Sequence, residues 1–158
     1  MVAQRGILVL VRGLPGSGKS TYAARFATAH PGSTHYEADQ YFVKDGVYTY
    51  DPRAIRYAHS WVAAQVEHDM IQAIGSAGPH VVVVSNTFSR QWEMAELMQL
   101  AAKYGWAVEV KTLFDAGLTD TQLHERGVHK VPLTTINAMR RRWEPWPDEV
   151  RIEGQEAL

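Results

Sequence analysis

The chain has 158 residues, 46% of them hydrophobic and 21% charged, a composition that suits one domain with a sizeable core and excludes a disordered chain. A formal net charge of −1 gives no overall attraction for nucleic acid, so any such site has to be a local patch. The absence of cysteine excludes disulfides and thiolate metal sites and fits a reducing, cytoplasmic setting. Ile7–Val11 is a continuous apolar run, as in a central parallel strand covered on both faces. It is too short for a signal peptide or a membrane span. Tyr22 to Ala29 is compatible with a helix that stops at His30-Pro31-Gly32. Thr34 to Ala38 reads as a short second strand, with Asp39 just past its end. Gln40 to Asp51, polar and aromatic around Gly46, reads as a loop or short helical excursion. Asp51 and Pro52 then cap and begin a helix, in which Ile55, Ala58, Trp61, Val62, Val66, Met70 and Ile74 recur at helical spacing. His80–Ser85 is a buried third strand with Asn86 at its C-terminal end. Ser89 is placed to cap a helix through Tyr104, stopped by Gly105. Trp106–Phe114 reads as a fourth strand and Thr119–Arg126 as a short helix. Val131-Pro132 opens a last helix carrying Ile136, Met139 and Trp143, ended by Pro145 and Pro147.

Strands alternating with helices predict an α/β fold with a central parallel sheet. Right-handed crossovers gather the loops that follow strands on one edge, where ligands bind. That edge is expected to carry Asp39, Asn86 and the stretch Gly13-Leu14-Pro15-Gly16-Ser17-Gly18-Lys19-Ser20-Thr21. The last fits G-x-x-x-x-G-K-[ST] between a strand and a helix, the context of a phosphate-binding P-loop. Its glycines let backbone N–H groups turn in toward phosphate oxygens, and the following helix adds its positive end. Lys19 reaches the β- and γ-phosphates of ATP, and the Ser20 hydroxyl is the candidate Mg²⁺ ligand.

Phosphoryl transfer needs a carboxylate that orients and deprotonates the acceptor hydroxyl, and Asp39 is the candidate. Asn86 stands where P-loop enzymes often place a metal-supporting aspartate; a substrate or water contact and a plain strand-end turn both fit it. Arg126, beside Gly127, is open to two readings, an ordinary surface arginine, the default from spacing alone, and a lid residue that offsets charge on the triphosphate. Tyr41 and Phe42 belong to an aromatic loop running to Tyr50 beside the candidate base, where an unstacked nucleotide has room between rings. Arg140-Arg141-Arg142 is, with Lys130, the strongest basic cluster; a solvated helix face and a phosphate-contacting surface are both open readings.

From Ile7 to about Met139 the sequence resembles the 5′-hydroxyl polynucleotide kinase domain of T-even phages and the P-loop kinase domains of proteins that bind HECT-type ubiquitin ligases. The pieces that carry the resemblance are the phosphate loop, His-Pro-Gly, Asp39-Gln40-Tyr41, Val-Val-Val-Val-Ser-Asn-Thr, Ala-Lys-Tyr-Gly-Trp, and Arg126 to Pro132 with Ile136 and Met139 following. The resemblance implies Lys19 and Ser20 on ATP·Mg²⁺, Asp39 as base and Arg126 as lid clamp. It departs at Phe42, where the phage enzyme has a substrate-binding arginine, and at Asn86, where it has aspartate. The expectations are therefore a kinase-type P-loop NTPase, a three-layer sandwich with a small lid. A single domain is expected over residues 1–147, the lid at about 116–131 and a tail at 148–158. The expected reaction is ATP-dependent phosphorylation of a nucleic-acid hydroxyl, DNA before RNA, at a 5′ end or a hydroxymethylated pyrimidine of phage DNA. A P-loop kinase of a nucleoside, sugar or antibiotic is the alternative. No membrane partner is expected, and a phage-encoded protein in the host cytoplasm fits this reading.

Overall fold

A computed structural model describes residues 5–153. In chain order it contains β1 (Gly6–Gly13), α1 (Lys19–Ala29), β2 (Thr34–Tyr36), a hairpin of β3 (Val43–Lys44) and β4 (Val47–Tyr48), α2 (Ile55–Gln72), β5 (His80–Asn86), α3 (Ala95–Tyr104), β6 (Ala107–Phe114), α4 (Asp120–Arg126), α5 (Leu133–Arg141) and β7 (Val150–Arg151). Single 3₁₀ turns cover Ala38–Phe42, Pro52–Ala54 and Gln91–Met94.

The main sheet has the order β2-β5-β1-β6-β7, and every pairing in it is parallel. Successive side chains of a strand point to opposite faces, and β1 divides its apolar run accordingly. Leu8 and Leu10, with Val82 and Val84 of β5, pack beneath α2 and α3 through Ala58, Val62, Met70, Leu97 and Ala101. Val9, Val11 and Val83 meet α1 through Ala23. These are the two outer layers and the central layer expected from the sequence. A third cluster of Leu14, Leu123 and Ile136 ties α4 and α5 to the phosphate loop. No helix among the described residues is long and apolar enough to cross a membrane.

Three local details differ from expectation. The segment 40–51 holds a 3₁₀ turn followed by the β3–β4 hairpin, whose two loop residues, Asp45 and Gly46, both have positive φ (53° and 78°). This Asp-Gly pair is the chemistry of a type I′ turn. Ser89 does not cap α3. Its buried hydroxyl donates to Glu93 Oε1 (2.8 Å) and accepts from Arg142 Nε (2.9 Å), while Arg90 and Glu93 form the turn that leads into the helix. The tail expected from 148 onward enters the sheet: β7 pairs with β6 at Lys111 and Thr112, and Ile152 is buried against Val11 and Leu113. Residues 154–158 of that tail lie outside the described residues.

The C-terminal segment is held by Arg12, the last side chain of β1 before the phosphate loop and fully buried. Its guanidinium donates to the Phe88 carbonyl through Nε (3.0 Å), to the Glu144 carbonyl (2.7 Å) and to Glu149 Oε2 (3.3 Å). It lies 4.2 Å from the centroid of the Trp143 ring. Burial lowers its pKa, with Glu149 opposing. Glu149 in turn accepts from Thr112 Oγ1 (2.6 Å) and the Trp146 N–H (3.3 Å).

Candidate active site

The phosphate loop leaves β1 and curls beneath α4. Gly16 and Gly18 have φ of 81° and 95°, the left-handed region that glycine enters without penalty. A methyl group on Gly16 would collide with the Leu123 carbonyl of α4, and one on Gly13 with Ser17 Oγ. The Ser17 hydroxyl is buried and has no hydrogen-bond partner among the described residues, so this loop carries a donor in want of an acceptor. No acidic side chain stands in the first turn of α1, which leaves its positive end open to an anion. Lys19 begins that helix. Burial pushes its ammonium pKa down, and the carboxylates of Asp39 and then Glu37 oppose the shift.

Those two carboxylates leave the end of β2 two residues apart, and each faces a different set of partners. Glu37 turns to the phosphate loop. Its Oε2 accepts from Ser20 Oγ (2.7 Å) and Ser85 Oγ (3.0 Å), and His35 Nε2 lies 2.7 Å from the same Ser85 oxygen. With the Ser85 proton committed to Glu37, the His35 ring donates at Nε2. Burial lowers the His35 pKa against the pull of Glu37. The sequence motifs do not single out Glu37. The available signal was parity: along an extended segment His35 and Glu37 share one side, while Asp39 lies beyond it in the 3₁₀ turn Ala38–Phe42.

Asp39 turns the other way, toward the hairpin and the segment after α4. Tyr48 donates its hydroxyl to Asp39 Oδ1 (3.0 Å), and His129 Nε2 stands 3.6 Å from Oδ2. The two rings that flank the carboxylate stack on each other, with centroids 3.8 Å apart and planes 21° from parallel. Desolvation, then the Asp39 charge, pushes the Tyr48 pKa up, so Tyr48 remains a donor. The turn that carries Asp39 is fixed from β5, where Asn86 Oδ1 accepts the Ala38 N–H (2.9 Å).

The remaining expected residues divide. Pro15 is buried within the loop and Thr21 is exposed on α1. Arg126 ends α4, exposed and without a hydrogen bond or ion pair among the described residues. Tyr41 is 42% exposed and lies on Phe42 and Trp61. Two residues expected to contact substrate are engaged within the protein. Phe42 is a core residue, 6% exposed, its ring set against those of Tyr41, Tyr48 and Tyr50. Arg140 is engaged internally, at 2.6 Å from Asp115 and 2.8 Å from Asp120, and it donates to the Leu118 carbonyl (2.9 Å). The Arg140–Arg142 cluster is thus no free phosphate track: Arg142 is held by Ser89, and Arg141 alone of the three stands without a described partner.

No three His, Asp or Glu side chains among the described residues converge as a metal cage. Mg²⁺ does not need one. It keeps several waters and binds through one or two oxygen ligands together with substrate phosphates. The Ser20 hydroxyl beside the Glu37 carboxylate is such a set of hard oxygens.

Comparison with known proteins places these features in context. Residues 8–146 match the family model AAA_33, described as an AAA domain. Human NEDD4-binding protein 2 is 30% identical over 138 residues, a match that covers 84% of this chain. The match covers 7% of that protein, so the chain spans a small part of the length of this curated relative. Among solved structures, a gluconokinase from Sinorhizobium meliloti 1021 aligns over 99% of this chain and 91% of its own, with a TM-score of 0.63 and 16% identity. A chain of the Pnkp1/Rnl/Hen1 RNA repair complex aligns over 89% of this chain and 45% of its own, with a TM-score of 0.66 and 19% identity. The Deinococcus radiodurans tunicamycin resistance protein aligns over 96% and 91%, with a TM-score of 0.56 and 20% identity. At these identities the likeness is one of fold, a kinase-type P-loop fold.

Proposed function

From the premise that this chain belongs to the AAA domain family AAA_33, we propose that it is an ATP-dependent kinase whose acceptor is a hydroxyl of a nucleic acid. The observation that carries the reading is the division of labour between Glu37 and Asp39. One carboxylate accepts from the phosphate-loop serine and the other from Tyr48, and the Lys19 ammonium feels the charge of both. Lys19, the loop amides and the end of α1 hold the triphosphate, and Arg126 closes over it from the lid. Asp39 takes the acceptor proton as the new bond from the acceptor oxygen to the γ-phosphorus forms and the bond to the bridging oxygen of ADP breaks. Tyr48 orients that carboxylate. The aromatic surface beside Asp39 supports a nucleic-acid acceptor, either a 5′ end or a hydroxymethylated pyrimidine. The internal pairing of Arg140 favours a second reading, a small-molecule acceptor that needs no backbone track.

Mg²⁺ fits Ser20 and Glu37, and when bound it neutralises charge on the β- and γ-phosphates. In P-loop enzymes the serine's metal partner is commonly an aspartate at a strand end. Asn86 has no charge and its oxygen is engaged by the Ala38 N–H, so the carboxylate is assigned here to Glu37. Glu37→Gln is expected to weaken Mg²⁺ binding to the ADP-bound protein by about 10–100-fold, read by calorimetric titration with the metal. Mg²⁺ affinity equal to the parent's would remove Glu37 from the metal.

The function itself is tested by transfer of labelled γ-phosphate to a panel: 5′-hydroxyl DNA and RNA, hydroxymethylated duplex DNA, nucleosides, and sugar acids. Efficient labelling of polynucleotide with weak labelling of the small molecules is the expected result. Labelling confined to sugars or free nucleosides would establish the second reading.

A further inference from the structure

The stacked pair beside Asp39 bears on the shape of the acceptor, given the nucleic-acid reading of the site on which this inference rests. We propose that the face of Tyr48 is the stacking subsite for a planar heteroaromatic ring of the acceptor, and that the His129 imidazole holds that place in this structure.

Tyr48 is a fixed platform. It sits on β4, one strand of a hairpin closed by a tight Asp45-Gly46 turn, and its hydroxyl is bound to Asp39 (3.0 Å). Its ring is set nearly edge-on against the buried Phe42, with centroids 6.4 Å apart and planes at 78°. The opposite partner is held loosely. His129 follows α4 in the lid and is exposed, and its neighbour Val128 is 89% exposed. Beyond the stack and the 3.6 Å approach of Nε2 to Asp39, His129 makes no interaction among the described residues. A rigid ring is therefore covered by a displaceable one.

The covering ring is informative in itself. Imidazole is a flat nitrogen heterocycle, as nucleobases are, and it lies parallel to the tyrosine while aiming a polar atom at the carboxylate. An acceptor that replaces it puts a ring on Tyr48 and a hydroxyl, carried on a short arm, at Asp39 Oδ2. Bases of any identity stack in this way because each presents a π-face. A sugar acid has no such face and gains nothing from the platform. Tyr48 thus selects for ring-bearing acceptors, and Asp39, tied to it, receives the hydroxyl those acceptors bring.

The test is binding, without ATP, of two fluorescent single-stranded deoxyoligonucleotides, one ending in a 5′-hydroxyl and one carrying 5-hydroxymethyluracil, followed by anisotropy. Tyr48→Leu is expected to weaken the better-bound of the two by about 5- to 100-fold. Tyr48→Phe keeps the ring and should bind within about threefold of the parent. It also controls for loss of the Asp39 bond, and melting curves of all variants control for folding. His129→Ala uncovers the platform and should bind roughly 2- to 10-fold tighter, the worth of one aromatic pair. A purely structural role for the pair would give the opposite sign. Parental binding by Tyr48→Leu, or a loss in His129→Ala as large as in Tyr48→Leu, would overturn the subsite while leaving the nucleic-acid reading standing. A parent protein that neither binds nor phosphorylates either oligonucleotide would overturn both.

Discussion

Asp39→Asn is expected to slow the single-turnover transfer step by roughly 10²–10⁴-fold, the usual contribution of a positioned general base, while ATP affinity stays near that of the parent. The substitution is conservative in shape. The amide oxygen still accepts from Tyr48, so the ring platform keeps its orientation and the loss isolates basicity. Lys19 would feel one opposing carboxylate fewer, leaving Glu37 to counter the desolvation that lowers its pKa. Rapid-quench measurement with the best acceptor of the panel reads the rate, and equilibrium titration reads the nucleotide. A large loss of ATP affinity at an unchanged transfer rate would move Asp39 from the acceptor to the metal. The comparison with Glu37→Gln is informative because the two carboxylates are so close in sequence: one substitution should act on transfer, the other on Mg²⁺.

Arg12→Leu is expected to be the most destabilising single change outside the site, by about 3–5 kcal/mol, the range for breaking a buried ion pair by removing one partner. Leucine replaces the aliphatic stem but leaves the Glu149 carboxylate, 7% exposed, without its buried counter-charge. The Phe88 and Glu144 carbonyls lose their donor as well. For a protein of this size that corresponds to a fall in melting temperature of roughly 6–20 °C, read by thermal denaturation followed by circular dichroism. A melting temperature within two degrees or so of the parent's would mean that the pair contributes little beyond packing.

How much of the fold and the site is legible in the sequence depends on how local the cause is. β1 and β5 are unbroken apolar runs because both of their faces are covered, and no other element explains such runs. The phosphate loop needs its glycines for conformational reasons that hold wherever the motif occurs, so it too is readable. The position of Asp39 past a strand end is readable, but its partners are not, since Tyr48 and His129 reach it from a hairpin and from the segment between α4 and α5. The hairpin has a usable signal in Asp45-Gly46, which the surrounding aromatic residues obscure. Glu37 does not stand out because its hydroxyl partners lie 17 and 48 residues away. The arginine cluster misleads for the same reason. A run of three positive charges reads as a patch until Asp115 and Asp120 are seen to neutralise its first member. β7 is two residues long and exposed on both, so no pattern announces it; the sheet recruits it through Glu149 and Ile152.

The contact between Arg12 and Glu149 joins residues 137 positions apart, and Arg12 immediately precedes the first glycine of the phosphate loop. Closing so long a segment is an entropic demand that local structure cannot meet early. The loop is written near the start of the chain, yet the arginine that leads into it is held by nearly the last described residues. The Arg12 anchor is therefore expected to form late in folding. Nucleotide present during refolding should leave the early phases untouched and act on the finished state alone, stabilising it by an amount set by its concentration relative to its dissociation constant.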